Sequence, residues 1–342
     1  MAGPKRAQSG EDAESLIEGL QPHPNLKELS VEGYGGVRFP SWMKNYGLSL
    51  PNLITINLER CSGCQILPSF AELPHLKSLE LDGMEKVKYM ECSSEGPFFP
   101  SLQCLKLNLM PELKEFWMRD LPTEPCPSFP CLSELTIWGC FNLTSVALPS
   151  SPLLSQLDIK FCNKLASLEL HSSPCLSSLE IWVSPKLTFL KVPSLTCLKT
   201  LKLLGVKEEL LRRMLFTASS LESLSIAVVD DMRTLPDELL QHVSTLQTLN
   251  IWNCPNFTAF PHWIGGFSSL RMLKIYKCPK LTSLPEEMPS LNSLQRTVVS
   301  DCLNLEKSVQ EETVEDRPQI DFIYERMNEI GFHVRSEILT FL

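Results

Sequence analysis

Thiols, imidazoles and neighbouring carboxylates are the residues in this chain that could do chemistry, and their spacing decides what they can do. There are thirteen cysteines and six histidines. Cys61 and Cys64 form a CxxC pair, the spacing of half a zinc site or of a redox dithiol. A structural zinc takes four ligands, and no second pair and no histidine at ligand spacing follows. The histidines (His23, His75, His171, His242, His262, His333) are scattered and form no HExxH. Asp230 and Asp231 could suggest an acid–base pair. Adjacent strand residues point to opposite faces, however, so they read as solvated turn residues. No GxxxxGK[ST] phosphate loop and no GxSxG nucleophile elbow occurs. The expectation is a chain that is not an enzyme, with no catalytic residue, no cofactor and no metal. Asn142-Leu-Thr144 and Asn256-Phe-Thr258 match the glycosylation sequon, a short motif frequent by chance.

The cysteines lead to the elements that position them. Cys61, Cys140, Cys162, Cys254, Cys278 and Cys302 each close a phrase of the form L-x-x-L-x-L-x-x-C, as in Leu132, Leu135, Ile137, Cys140 and Leu154, Leu157, Ile159, Cys162. This is a leucine-rich-repeat spacing. Repeats begin at Leu26, Leu53, Leu76, Leu102, Leu132, Leu154, Leu176, Leu198, Leu221, Leu246, Leu270 and Leu294, about twelve in all, spaced by 22 to 30 residues. The ninth position also accepts Tyr34, Met84, Met110, Ser184, Val206 and Val229. A site that takes Cys, Met and Val alike is a packing site, where reduced cysteine acts as a small hydrophobe.

The spacing predicts an α/β leucine-rich-repeat solenoid, a horseshoe with a parallel sheet on its concave face. The fourth and sixth residues of each unit point to one side of a short strand and form the core. One unit cannot bury that side alone, but a stack of units can. Positions three, five and seven face outward. The longest interval holds a proline-rich excursion, Leu121–Pro130, read as a loop. In the last repeat Thr297 replaces a leucine, as expected of a terminal unit. Lys207–Phe216 reads as a helix with Leu210, Leu211, Met214 and Leu215 on its packed face.

Three segments are expected: a lead-in over 1–22, either partly disordered or capping; the repeat domain over 23–305; and an acidic linker with a candidate capping helix over 306–342. The formal charge is −9, and residues 306–342 hold nine acids against four Lys and Arg. The repeats are therefore mildly acidic, without a basic footprint for nucleic acid. No run of about 18 apolar residues suggests a membrane span. The first twenty residues lack the apolar stretch of a signal peptide. The expected location is cytoplasmic, with the nucleus open as an alternative.

Position seven reads Glu32, Glu59, Asp82, Asn108, Trp138, Lys160, Trp182, Leu204, Ala227, Trp252, Tyr276, Ser300. Outward-facing Trp and Tyr are the residue types of interface hot spots. Trp138, Lys160, Trp182, Trp252 and Tyr276 are thus the expected protein-binding residues, and alanine at Trp182 and Trp252 is expected to spare the thermal transition. Glu28, Glu32, Glu59, Glu80 and Asp82 form an acidic patch suited to a basic surface, with contacts that salt would screen.

HPNLKELSVEGYGGVRFPSWM (23–43), LPHLKSLELDGM (73–84), FPSLQCLKL (99–107) and LKIYKCPKLTSLPEEM (273–288) resemble the repeats of plant intracellular disease-resistance proteins. These are the nucleotide-binding leucine-rich-repeat receptors of the coiled-coil class. The resemblance covers about residues 14–305. It implies a protein-binding module in plant innate immunity, recognising a pathogen effector or a host target. It further implies that the early face, Glu28 to Asp82, meets the nucleotide-binding domain of a related receptor, and that Trp138 to Tyr276 carry recognition. No coiled-coil or nucleotide-binding segment accompanies the repeats, so the chain reads as truncated relative to full receptors. The alternative is a non-immune adaptor, such as a ubiquitin-ligase substrate receptor. That function would need an F-box-like segment, for which residues 1–22 are too short.

Overall fold

The computed structural model describes residues 10–44, 49–68, 70–71, 73–90, 99–115 and 129–305. Much of the proline-rich excursion and all of the acidic tail, with its apolar stripe Ile323, Met327, Ile330 and Val334, lie outside the described residues. The chain forms two compact units, Met1–Ser223 and Leu224–Leu342.

The first unit contains β1 (Glu28–Glu32), β2 (Thr55–Glu59), β3 (Ser78–Asp82), β4 (Cys104–Asn108), β5 (Glu134–Trp138), β6 (Ser145–Leu148), β7 (Gln156–Lys160), β8 (Ser167–Leu170), β9 (Ser178–Trp182), β10 (Phe189–Lys191) and β11 (Thr200–Leu204). The sequence β1-β2-β3-β4-β5-β7-β9-β11 makes one parallel sheet. The second unit holds β12 (Ser223–Ala227), β13 (Thr248–Trp252), β14 (Met272–Tyr276) and β15 (Arg296–Ser300), also parallel. Each of these strands runs from the third to the seventh residue of a repeat, so both units are parallel-sheet solenoids of leucine-rich repeats.

Packing follows the predicted alternation. Positions four and six are buried in every repeat except at Val31, whose end strand has a partner on one side only. Thr297 pairs with Leu273 in register and is buried with Val298 and Val299. All twelve position-nine side chains are buried, whether Cys, Met, Val, Tyr or Ser. The thiols of Cys162, Cys254, Cys278 and Cys302 donate to the carbonyl two residues earlier, at 3.5–3.6 Å.

The residue after each strand, position eight, turns left-handed in all twelve repeats. Four are glycines (Gly33, Gly83, Gly139, Gly205), and the rest include Val183 (φ 50°) and Val228 (φ 52°). The turn aims the backbone N–H at the next repeat. Gly139 donates to Lys160 O at 2.9 Å, Phe161 to Trp182 O at 2.9 Å and Val228 to Trp252 O at 3.0 Å. A buried amide left unpaired is costly, so this rung explains why the conformation recurs even where a β-branched side chain resists it.

The return side varies with repeat length. Three successive intervals from Leu132 to Leu198 are 22 residues each, and there β6, β8 and β10 form a second parallel sheet. Equal lengths keep the rungs of this second sheet in register. The next interval, Leu198 to Leu221, carries a helix on its return side instead. Helix α3 (Glu208–Thr217) buries Leu210, Leu211, Met214 and Leu215, as the spacing predicts. At the start, helix α1 (Gly10–Glu18) docks on the loop that runs into α2 (Ser41–Lys44). Glu14 Oε1 accepts from the N–H groups of Val37 (2.8 Å) and Arg38 (3.1 Å), and Trp42 Nε1 donates to Ile17 O at 3.1 Å.

Candidate protein-binding faces

Cys61 and Cys64 are fully buried, and the Cys64 thiol donates to Gly36 O at 3.2 Å. Burial pushes Cys64 up to about 12 and Cys162 up to about 12, so both are neutral thiols without nucleophilic character. Asp230 and Asp231 sit exposed in a turn. Asn142 accepts from Lys164 Nζ at 2.6 Å, and Asn256 donates to Asp230 O at 2.7 Å. Both sequon amides thus hold neighbouring repeats together. Among the described residues no group of three or more His, Cys, Asp and Glu is placed to hold a metal ion. Among the same residues no helix is long and apolar enough to cross a membrane.

The outward face of the first unit has an acidic part and a mixed part. Glu28, Glu32, Glu59, Glu80 and Asp82 all lie on β1–β3. Register sets Glu32 beside Glu59 and Glu59 beside Asp82. Two cations that the sequence reading passed over temper this patch. Arg60 pairs with Glu32 and, through Nε at 3.4 Å, with Glu59; Lys106 lies 3.6 Å from Glu80. Burial raises the Asp82 carboxyl above its ordinary value, against the lowering effect of an Asn108 hydrogen bond. Five carboxylates against two cations leave the patch negative.

In the mixed part Trp138, Lys160 and Trp182 are direct register neighbours on β5, β7 and β9. The Lys160 ammonium lies over the Trp182 ring, 4.3 Å from its centroid. It also reaches Glu180 Oε2 at 2.7 Å and Asp158 Oδ2 at 3.6 Å, while Lys202 Nζ meets Glu180 Oε1 at 2.6 Å. Desolvation pushes Glu180 up, but hydrogen bonds from Lys160 and Lys202, with their charge, hold it below its ordinary value. Asp158 is shifted the other way, because burial outweighs Lys160. Its Oδ1 is buried with no hydrogen-bond partner among the described residues. The sequence reading missed Asp158, Glu180 and Lys202. A constant 22-residue offset would have aligned all three at position five.

The expectation that these rings stand open is corrected in part. Trp138 is half-buried, with its ring edge-on to Phe161 at 6.3 Å. Trp182 is only 7% exposed, so its ring packs against its neighbours rather than standing open. Strands about 4.8 Å apart bring wide side chains on adjacent rungs into contact, so a ring at position seven is covered by its neighbours. In the second unit Trp252 is half-buried and Tyr276, its register neighbour, is 5% exposed.

Comparison with known proteins agrees with this architecture. The family described as R13L1/DRL21 LRRs matches residues 3–84. Two Solanum bulbocastanum proteins named for disease resistance are similar. RGA1 is 40% identical over 126 residues, covering 36% of this chain, and RGA4 is 38% identical over 145 residues, covering 40%. The chain spans 12% and 14% of the length of these two relatives. Among solved structures, a chain of the LRIM1/APL1C complex superposes with a TM-score of 0.51 at 12% identity, over 81% of this chain and 48% of that one. That likeness is one of fold. The chain folds as leucine-rich repeats; its residues 3–84 match the R13L1/DRL21 family of such repeats, and over 126 and 145 residues it is similar to two disease-resistance proteins.

Proposed function

We propose that this chain is a protein-binding module of plant innate immunity that recognises a pathogen effector or a host protein. The observation that carries the reading is the 38–40% identity to disease-resistance proteins over 126 and 145 residues. The faces support it. Trp138 and Trp252 present part of an aromatic ring at position seven, and aromatic anchors surrounded by polar groups are the usual make-up of binding hot spots. Asp158 adds a buried acceptor oxygen without a partner among the described residues. The acidic β1–β3 face suits a basic partner surface, such as the nucleotide-binding domain of a related receptor. Helix α1 serves as a cap on the first repeat, and the module acts in the cytoplasm or nucleus as a scaffold, without catalysis.

The test is a pull-down from infected plant tissue, with the wild-type chain beside Trp138→Ala and Trp252→Ala variants whose folding has been verified by circular dichroism. An effector or host protein retained by the wild type should fall at least about tenfold with one of the variants, the size of a hot-spot loss. Equal recovery with all three chains would remove recognition from these faces.

A further inference from the structure

Cys175 and Cys197 occupy the same place in neighbouring repeats, and both are exposed free thiols. The strands that follow them fix this alignment. Ser178 pairs with Thr200, and the same offset carries Cys175 onto Cys197. Each cysteine lies in a turn closed in the same way: Leu176 N–H donates to Ser173 O at 3.2 Å and Leu198 N–H to Leu195 O at 3.2 Å. Just beyond the turns, Lys199 N–H donates to Ser177 O at 2.9 Å, locking one repeat on the other. Neighbouring parallel strands lie about 4.8 Å apart. Cα atoms at that spacing fall within the roughly 4.4–6.8 Å that a disulfide requires.

The two preceding repeats provide an internal control. Glu134 pairs with Gln156, and Gln156 with Ser178, so the equivalent turn positions there are Cys131 and Leu153. Leu153 stands between Cys131 and Cys175. Those two cysteines are therefore two strand spacings apart, about 10 Å, beyond the ~7 Å limit for bridging without backbone movement. The position-nine thiols and Cys64 are buried in the core. The packing role that accounts for them does not account for Cys175 and Cys197.

We propose that Cys175 and Cys197 form a reversible modification site whose co-reactant is a small disulfide of the glutathione type. One thiolate attacks the small disulfide, forms a mixed disulfide and releases one thiol. The second thiolate attacks the protein sulfur of that mixed disulfide and releases the other. Two protein thiols are oxidised to one disulfide, and the small disulfide is reduced to two thiols. The product ties two adjacent repeats together at the turns leading into β9 and β11. The site stands independently of the protein-binding reading.

The experiment treats the folded full chain with oxidised glutathione, quenches in acid, alkylates free thiols and maps tryptic peptides by mass spectrometry. Residues 165–186 and 192–199 are separate tryptic peptides, and they should appear joined, and part again on reduction. Cys175→Ser should leave Cys197 carrying glutathione, Cys197→Ser should leave Cys175 carrying it, and Cys131→Ser should leave the joined peptide unchanged. The joined pair should exceed any Cys131-containing pair at least tenfold. Separate glutathione adducts on Cys175 and Cys197 in the wild type, no reaction at either, or equal joining to Cys131 would each overturn the proposal.

Discussion

Lys160 and Trp182 sit side by side in the parallel register of β7 and β9, and the ammonium of the first rests on the ring face of the second at 4.3 Å. The lysine is also tied to Glu180 at 2.7 Å, which in turn holds Lys202 at 2.6 Å. Side chains from three successive repeats thus close over one another on what sequence alternation marks as an outward face. The same contacts that could anchor a partner also join the repeats.

This dual role gives a prediction for Trp182. Replacing a buried tryptophan by alanine removes its packing and leaves a void, at a cost of about 3–5 kcal/mol. Trp182→Ala should lower the urea midpoint by an amount of that order, whereas Lys160→Met should cost far less because it keeps the aliphatic stem. In a double-mutant cycle the pair should show a coupling of about 0.5–2 kcal/mol, the range for a cation over an aromatic face. A Trp182→Ala chain as stable as the wild type would mean that the ring is not part of the structural framework.

The left-handed rung at position eight gives the second prediction. Val183 and Val228 hold φ of 50° and 52°, a region in which an L side chain costs roughly 1–2 kcal/mol and Asn is better tolerated than a β-branched residue. Val183→Asn and Val228→Asn should each raise stability by about 0.5–1 kcal/mol, a part of that cost. Gly139→Ala should move the other way, because its new Cβ would lie 3.1 Å from Leu109 Cδ2 at a φ of 69°. Denaturant midpoints of the three variants decide the point, and a neutral Gly139→Ala would show that the rung relaxes at little cost.

The residues show which parts of this fold can be read from a linear pattern. Leucines at positions four and six declare themselves because burial tolerates few side-chain types, and the strands fall on the predicted third to seventh residues. Position eight is different. Its demand is on backbone conformation, and the four glycines with Asn253 and Asp301 signal it; Phe161, Val183 and Val228 meet the same demand for the sake of a hydrogen bond to the next repeat. The second sheet was legible only as a run of equal intervals, whose consequence depends on stacking. The candidate faces were legible by column but not by contact. Trp182 counts as outward by alternation, yet its neighbours in adjacent repeats bury it, and Arg60 neutralises part of the acidic patch from a turn position that the alternation does not track.

The raised buried thiols predict a loss of stability on the alkaline side. Burial pushes Cys162 from its ordinary 9.0 up to about 12, and Cys254 from 9.0 up to about 11. Between those values the unfolded chain has released the proton while the folded chain still holds it. The unfolded state then binds fewer protons, so stability falls as pH rises. The full contribution is present below pH 9.0, and for Cys162 the loss runs from there to about 12. Each fully affected thiol contributes a slope of about 1.4 kcal/mol per pH unit. Valine already fills position nine as Val206 and Val229, which makes Cys162→Val a packing-compatible substitution. Urea titrations from pH 7 to 11 should show the wild type losing stability above pH 9 and the variant losing it less steeply, by about the slope of one thiol. Parallel curves would mean that the Cys162 thiol ionises as readily in the folded chain as in the unfolded one, and that water reaches the space behind the strands.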